Sequence, residues 1–596
     1  MAKHDDAARY RDQHGHVIVC GLHALGLRIV EVLRSSAVAV VVVDDDPDPR
    51  LLPILERWDV PHIAEMARAP EVLINAGLHG ARAVVSVEAD DLQNLETALV
   101  VRNLRPEVRI ILQMANAAVG AAVGDLVTDG AALDVAGLAA PSLVQACLGG
   151  GQLELDLSGE RFAVTETVVT HPGTLRSIYG DLVPIAVIPR HGAVEICPGR
   201  DHPVGAGDRV SVLGTTSDLA EALGGSRAAI ASPPARPSRV ATALQAARSV
   251  AQGAGLRVGT LIVALACLTA MSSAILRLGY RTGAHEHLSL LDSVYFTVET
   301  ISTVGYGDFS FAAQSTWLRV YGIVLIILGA TAITTLFALI SDLLFSRRVA
   351  DAFGLRRVTR MRGHVVVVGL GAVGWRVVEE LLHHGLPVVV IESDEQNRHL
   401  PQGRALRVPI IIGDATQPAT LDAANVAGAS AVAILTSDDL TNLETGLSLR
   451  QHMQTVGKEI PIVMRIFDRP LGRVIEESFG FRLVRSTSAL AAPWFVGAAL
   501  GLDILSTFYI EQELLLVACL TVAPTGGLAG LAMQDLSARI RVIAIERLGA
   551  SALEHPPRRT TRFGPGDRAF LIGPYEELLA VLQRDARHDP AVSASW

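Results

Sequence analysis

Lysine is nearly missing from this chain: of 51 basic residues only Lys3 and Lys458 are lysines. No Tyr-x-x-x-Lys pair exists, and no substrate domain with a clustered acid–base set is visible, which speaks against an oxidoreductase. Cysteine is scarce too. Cys20, Cys147, Cys197, Cys267 and Cys519 are odd in number, scattered, and make no metal-ligand spacing, so they read as buried thiols of a reducing compartment. Net charge is −10, with no basic block outside the flanks of two apolar runs, which argues against nucleic acid as a partner. Residues 1–15 are polar and charged, so no cleavable signal is expected and the first apolar run should serve as its own insertion signal. Long apolar runs are few. Only Val258–Leu276 and Val320–Leu344 approach the ~20 residues needed to cross ~30 Å of hydrocarbon. Half of the 596 residues are nonetheless hydrophobic, so the remainder must form several soluble domains with apolar sheets.

Between the two runs stands Thr303-Val304-Gly305-Tyr306-Gly307-Asp308. Leu288–Ser302 leads into it with Leu291, Val294, Tyr295 and Val298 at helical spacing, too short to span, and reads as a helix that dips in and returns. Irregular backbone at membrane depth is tolerated only where protein or water covers it. A Thr-Val-Gly-Tyr-Gly loop in this setting resembles the selectivity filter of two-transmembrane potassium channels. There, backbone carbonyls from four copies replace the water around K+. Glycines let successive carbonyls turn to one axis, and the Thr303 hydroxyl would add the innermost ring. The lead-in helix would aim its partly negative C-terminus at the central cavity. Val298-Glu299-Thr300 resembles bacterial channels with a glutamate behind the filter, which would pair Glu299 with Asp308. Two carboxylates in a poorly hydrated site would tend to share a proton and support the filter. The other reading of Glu299 is an exposed residue of the outer vestibule. Gly329 falls where related channels have a gating hinge, and equally suits helix packing. Arginines 236, 239, 248 and 257 before the first run, and 347, 348, 356, 357, 360 and 362 after the second, predict a multi-pass cell-membrane protein with both termini cytoplasmic.

The chain also repeats itself. His16–Gly26 matches His364–Gly374, and Asp90–Thr97 matches Asp438–Thr445, each 348 positions on (16 against 364, 90 against 438). Leu138–Pro141 recurs as Leu490–Pro493, and Gly205–Arg209 as Gly564–Arg568. Each copy opens as strand, Gly-rich turn, helix and acid-ended strand, the start of a Rossmann fold. In the second copy Gly369, Gly371 and Gly374 suit the tight turn, the pyrophosphate approach and helix–strand packing, with phosphates at a helix N-terminus. Glu392, followed by Asp394, lies where an acid pairs with a ribose diol and repels a 2′-phosphate, favouring NAD(H) or ATP/ADP over NADP(H).

Both copies resemble the regulator-of-potassium-conductance (RCK, TrkA-like) domain over roughly residues 15–225 and 360–585. The resemblance implies regulatory NAD(H), ATP or ADP binding and ring assembly, here as a homotetramer carrying eight modules. It implies nucleotide contacts at Asp414, Ala415 and Thr416 (the family's Gly-Asp-Ala loop), at Thr436, and at Arg465 facing phosphates. The first copy keeps Gly21, Gly26 and Asp44. It departs at His23, which would crowd a pyrophosphate, and at Ala64-Glu65-Met66 in place of Gly-Asp-Ala, so it is expected to be partly degenerate. Gln113 and Arg465 lie in stretches that lack the extra carboxylates of calcium-gated members.

The expected fold is multidomain: an α-helical two-span pore flanked by two α/β Rossmann-type modules, each with a small α+β C-terminal lobe. Boundaries are an N-terminal tail 1–14, first lobes 15–150 and 151–225, linker 226–256 and pore domain 257–346, with spans 258–276 and 320–344, pore helix 288–302 and filter 303–308. Linker 347–361, second lobes 362–508 and 509–585, and tail 586–596 follow. Ala231–Pro237 reads as a stiff linker, and His383-His384 as helix-end neighbours of Gly385. Ser488–Leu502 reads as either a third span or, being short and containing Pro493, a buried dimer-interface helix. The sequence therefore predicts a non-enzymatic, nucleotide-gated potassium channel. The competing readings are a membrane-bound regulatory subunit of a potassium transport system and an NAD-dependent oxidoreductase.

Overall fold

In the computed structural model the described residues are 10–116, 119–120, 130–149, 153–222, 255–281, 287–352, 358, 361–467, 469–550 and 552–586. They fall into two units, 1–230 with 358–596, and 231–357.

In the first unit, short runs such as Val17–Cys20 and Val365–Val368 are buried at every position, the pattern of parallel strands covered on both faces. Val17–Cys20, Val40–Val43, His62–Ile63, Ala83–Ser86, Arg109–Gln113 and Ala131–Leu133 (β1–β6) form a six-stranded sheet in the order 3-2-1-4-5-6. Val365–Val368, Val388–Glu392, Ile410–Ile412, Ala431–Ile434, Ile462–Ile466 and Leu483–Ser486 (β7–β12) repeat it in the order 9-8-7-10-11-12. This is the doubly wound dinucleotide-binding arrangement, with its ligand crevice at the carboxyl ends of β1 and β4, or β7 and β10. Each copy continues into a five-stranded antiparallel sheet. The second such sheet begins at Asp503, ahead of the expected boundary at 508/509, because Gly501 at φ +85° ends the preceding helix and releases the chain into a strand. The two antiparallel sheets share a core built on Phe162, Leu213, Phe508 and Phe570.

The copies exchange helices. Val135–Cys147 (α2), at the end of the first Rossmann lobe, packs on Ala372–His383 (α6) of the second. Thr487–Leu500 (α7), at the end of the second, packs on Ala24–Ser35 (α1) of the first. Helix α7 is buried around nearly its whole circumference, as a helix without a polar face must be. It is the interface helix of the two sequence alternatives, and its partner is the other copy in the same chain. Asp134, the N-cap of α2, accepts from Arg376 at 2.8 Å across the seam.

In the second unit, Gly255–Gly279 (α3) and Thr316–Ala352 (α5) flank Leu290–Ile301 (α4), which Ser289 caps by accepting from the Asp292 amide. Gly259–Gly279 and Thr316–Leu339 are long and apolar enough to cross a membrane. Helix α5 starts before the expected 320 and runs past 344 into the expected linker 347–361, since no glycine or proline interrupts Ser341–Ala352. The linker Ala231–Pro237 and the tail beyond 586 lie outside the described residues.

His16 and His364 occupy matching places in the two copies, fully buried, each with Nε2 on a carbonyl (Ala76 at 2.8 Å, Ala424 at 3.1 Å) and Nδ1 unpartnered. Burial holds both below the ordinary histidine pKa. The unfolded chain therefore takes up protons that the native one refuses. The stability they confer is complete above ~6.5 and falls as pH drops toward their native values. The first unit should melt lower at about pH 5.5 than at about pH 7.5. A His16→Gln, His364→Gln double variant should flatten that part of the melting profile.

Candidate functional site

Two sites emerge, one in each unit. In the pore unit, the loop after α4 is tied back to it by Thr303 N to Thr300 O (3.2 Å) and Val304 N to Glu299 O (3.2 Å). Thr303, Gly305 and Gly307 have φ of +58°, +58° and +87°, while Val304 and Tyr306 between them are not left-handed. Alternating handedness turns successive carbonyls to one side, where an ordinary strand would alternate them. Glycine adopts this freely. A β-branched threonine does so at a cost of ~1–3 kcal/mol, strain of the kind that collects at functional sites. Glu299 is buried behind the loop, where one carboxylate oxygen accepts from the Tyr306 amide and the other has no partner. Asp308 is exposed. Among the described residues no hydrogen bond joins Glu299 to Asp308. Gly329 lies in unbroken helix, and a Cβ there would come within 2.8 Å of Ile301 Cα, so its packing role is visible in this conformation.

In the second module the crevice gathers the expected residues. Gly369 turns at φ +90°, and a Cβ on Gly374 would stand 2.0 Å from the Gly369 carbonyl. A Cβ on Gly371 would meet nothing within 4 Å, leaving open space at the N-terminus of α6. Glu392 is buried and accepts from Leu370 N (2.7 Å), Asp394 N (2.9 Å) and Asn397 Nδ2 (3.0 Å). It braces the glycine turn, and a ribose hydroxyl would have to share it with Asn397, while Asp394 is exposed beside it. Asp414 closes its loop by accepting from the Thr416 amide and hydroxyl (both 2.8 Å), which hold its carboxyl below the usual range; Ala415 is buried. Thr436 stands against Gly369 and donates to Asn442 at 2.7 Å.

Arg465 is 9% exposed, stacks on Phe467 at 3.9 Å, reaches the Leu435 and Thr436 carbonyls only at 3.5 and 3.4 Å, and leaves Nε without a partner. Burial brings its pKa down to about 10. A buried guanidinium beside Thr436, which itself stands against Gly369, fits an anionic phosphate.

The first module keeps the frame and loses the space. Asp44 braces Leu22 as Glu392 braces Leu370, and Gly26 approaches Gly21 as Gly374 does Gly369. His23 accepts from Leu25 N through Nδ1 and donates through Nε2 to the Val87 carbonyl, so its ring bridges the mouth as the neutral tautomer. Burial keeps its pKa low. Glu88 stands where the second copy has Thr436, both amides bonding the matching asparagine. Burial and the nearby Asp44 raise its pKa. Gln113 replaces Arg465, as the shared asparagine contact to their carbonyls shows. Sequence reasoning passed over Glu88 and named Gln113 only for the carboxylates its stretch lacks, although the 348-residue offset aligns Glu88 with Thr436 directly.

The TrkA-N domain model matches residues 17–127 and 365–487, and the ion channel model matches 259–346. Two TrkA-N domains flank an ion channel domain. Relatives of this chain include potassium channel protein 1 of Methanocaldococcus jannaschii, 29% identical over 26% of this chain and 48% of that one. Another is the calcium-gated potassium channel TvoK of Thermoplasma volcanium, 23% identical over 47% of this chain and 81% of that one. The chain thus spans about half the length of the Methanocaldococcus protein. Among solved structures it is similar to one described as the GsuK channel bound to NAD, with 17% identity, TM-score 0.48, and coverage of 96% and 79%.

Rebuilding the first crevice in the second tests this contrast between the TrkA-N domains. Gly371→His with Thr436→Glu should abolish NADH and ADP binding by titration calorimetry while leaving the fold, since both residues occur in the same frame at His23 and Glu88. The converse changes His23→Gly, Glu88→Thr and Gln113→Arg should open a second binding event per chain.

Proposed function

We propose that this chain is a potassium-selective channel, assembled as a homotetramer and gated by NAD(H) or an adenine nucleotide held in the second TrkA-N domain. The observation that carries this reading is the left-handed alternation at Thr303, Gly305 and Gly307 in a loop between two helices long enough to span. One loop contributes a quarter of a ring of carbonyls, so four chains complete sites that replace the hydration shell of K+. The exposed apolar residues of the two long helices, among them Ile262, Val263, Ile323 and Ile327, suit lipid or neighbouring chains. The arginine distribution orients both termini to the cytoplasm. Relatives named as potassium channels support the same reading.

Gly369, Gly371 and Arg465 would hold the pyrophosphate, while Glu392 and Asp394 would face a ribose. The nucleotide supplies the ligand charge, and it gates only through a difference in affinity between open and closed assemblies. The His23–Val87 bridge makes the first domain a structural partner without phosphate. Relatives named as potassium channels favour conduction and its control over catalysis.

Potassium and sodium flux from liposomes holding the purified protein tests both parts. Potassium-selective flux that changes with NADH, ATP or ADP, and loses that response in Gly371→Asp, is the expected outcome. Absence of flux under every ligand would point to a regulatory subunit instead. Glu299→Ala frees the Tyr306 amide behind the filter, and single-channel recording should show altered inactivation with unitary conductance retained.

A further inference from the structure

A cavity of about 830 Å³ lies within the soluble unit, away from both crevices. Its walls come from α2, from residues 450–462, from the edge of the second Rossmann sheet at β12, and from both antiparallel lobes. Its size is that of a small-molecule site. Arg485, on edge strand β12, lines it with only 4% exposure. Its Nη1 donates to the carbonyl of the preceding Val484 at 2.9 Å, and its guanidinium lies over the Tyr509 ring at 4.5 Å. Its Nε is buried without a partner. Among the described residues no carboxylate comes within ion-pair distance of it. Of the acidic residues that also line the cavity, Glu166 and Glu511 are engaged by Arg209, and Glu459 is exposed.

A buried, unpaired guanidinium is costly unless something of opposite charge completes it. The fold does not require it. The parallel registers pair Arg485 with Arg465, and Leu133 with Gln113, so the equivalent residue of the first copy is Leu133. Cations Arg450, Arg482 and Lys458 stand around the same opening, and Phe481 and Phe508 add apolar wall. We propose that this cavity is a second effector site, for a small organic anion whose phosphate or carboxylate pairs with Arg485 while its body lies against the aromatic wall. The occupant would touch both copies and stabilise their docking. The proposal rests on neither ion conduction nor the nucleotide crevice.

The test uses the full chain in detergent with the crevice disabled by Gly371→Asp. Inorganic phosphate, citrate and AMP are titrated by calorimetry, and melting is followed in parallel. At least one probe should bind saturably and raise the melting temperature. Added Arg485→Leu should weaken it by at least about tenfold. Arg485→Lys, which keeps the charge but not the planar fork, should fall between the two. Preference for citrate over the phosphate probes, or the reverse, identifies the oxyanion. Failure of all three probes to bind overturns the proposal. So does equal binding by the arginine, lysine and leucine forms, which also guards against a variant that merely folds poorly.

Discussion

Everything in the unit that holds the two Rossmann copies depends on the exchange of two helices between them. A doubly wound sheet is stable only with both faces covered, and here neither copy covers itself. Ile29, Val30 and Leu33 of the first copy share a core with Ala491, Phe495 and Val496 of the second. Val365, Val377 and Leu381 of the second share one with Ala139, Leu143 and Val144 of the first. Polar contacts follow the same seam, with Arg82 and Arg109 donating to the Leu500 and Ala498 carbonyls at the end of α7. The two copies are thus one folding problem, although they carry different chemistry.

That interlock explains how the crevices can diverge. The parts that hold the glycine turn are common to both: the acid behind Leu22 or Leu370, and the asparagine clamp at Asn94 or Asn442. The parts that would face a phosphate differ at three positions: His23, Glu88 and Gln113 against Gly371, Thr436 and Arg465. Once its backbone donors are answered by an imidazole, the first crevice contributes packing alone. The second retains an unanswered guanidinium. Arg485 shows the same asymmetry at another place, with an apolar counterpart where the fold asks only for bulk.

Much of this was legible in the sequence because the strongest signals are local. The pore loop announces itself by glycine spacing between apolar runs, and the repeat by its constant offset. Glu392 was legible as the acid ending its strand, but the sequence could not show that Leu370 and Asn397 occupy it. The helix exchange was only half legible. The apolar Thr487–Leu500 stretch demanded burial, and nothing local named the other copy as its cover. The cavity at Arg485 was invisible, since its walls come from six separated stretches of chain. Arg485 itself stands in a strand that reads simply as a sheet edge.

The exchange also sets the order of events during synthesis. Helix α2 emerges from the ribosome about 340 residues before α7, and the two helices long and apolar enough to cross a membrane are made in between. At ~5–20 residues per second the first copy waits roughly 20–70 s for the element that closes its sheet. Through that interval the cell holds a half-built module with an apolar face awaiting its cover, while the two long apolar helices are already being made. The nascent chain is therefore a natural client for a chaperone. A truncation after the membrane segment would yield a trapped intermediate in place of a smaller working protein.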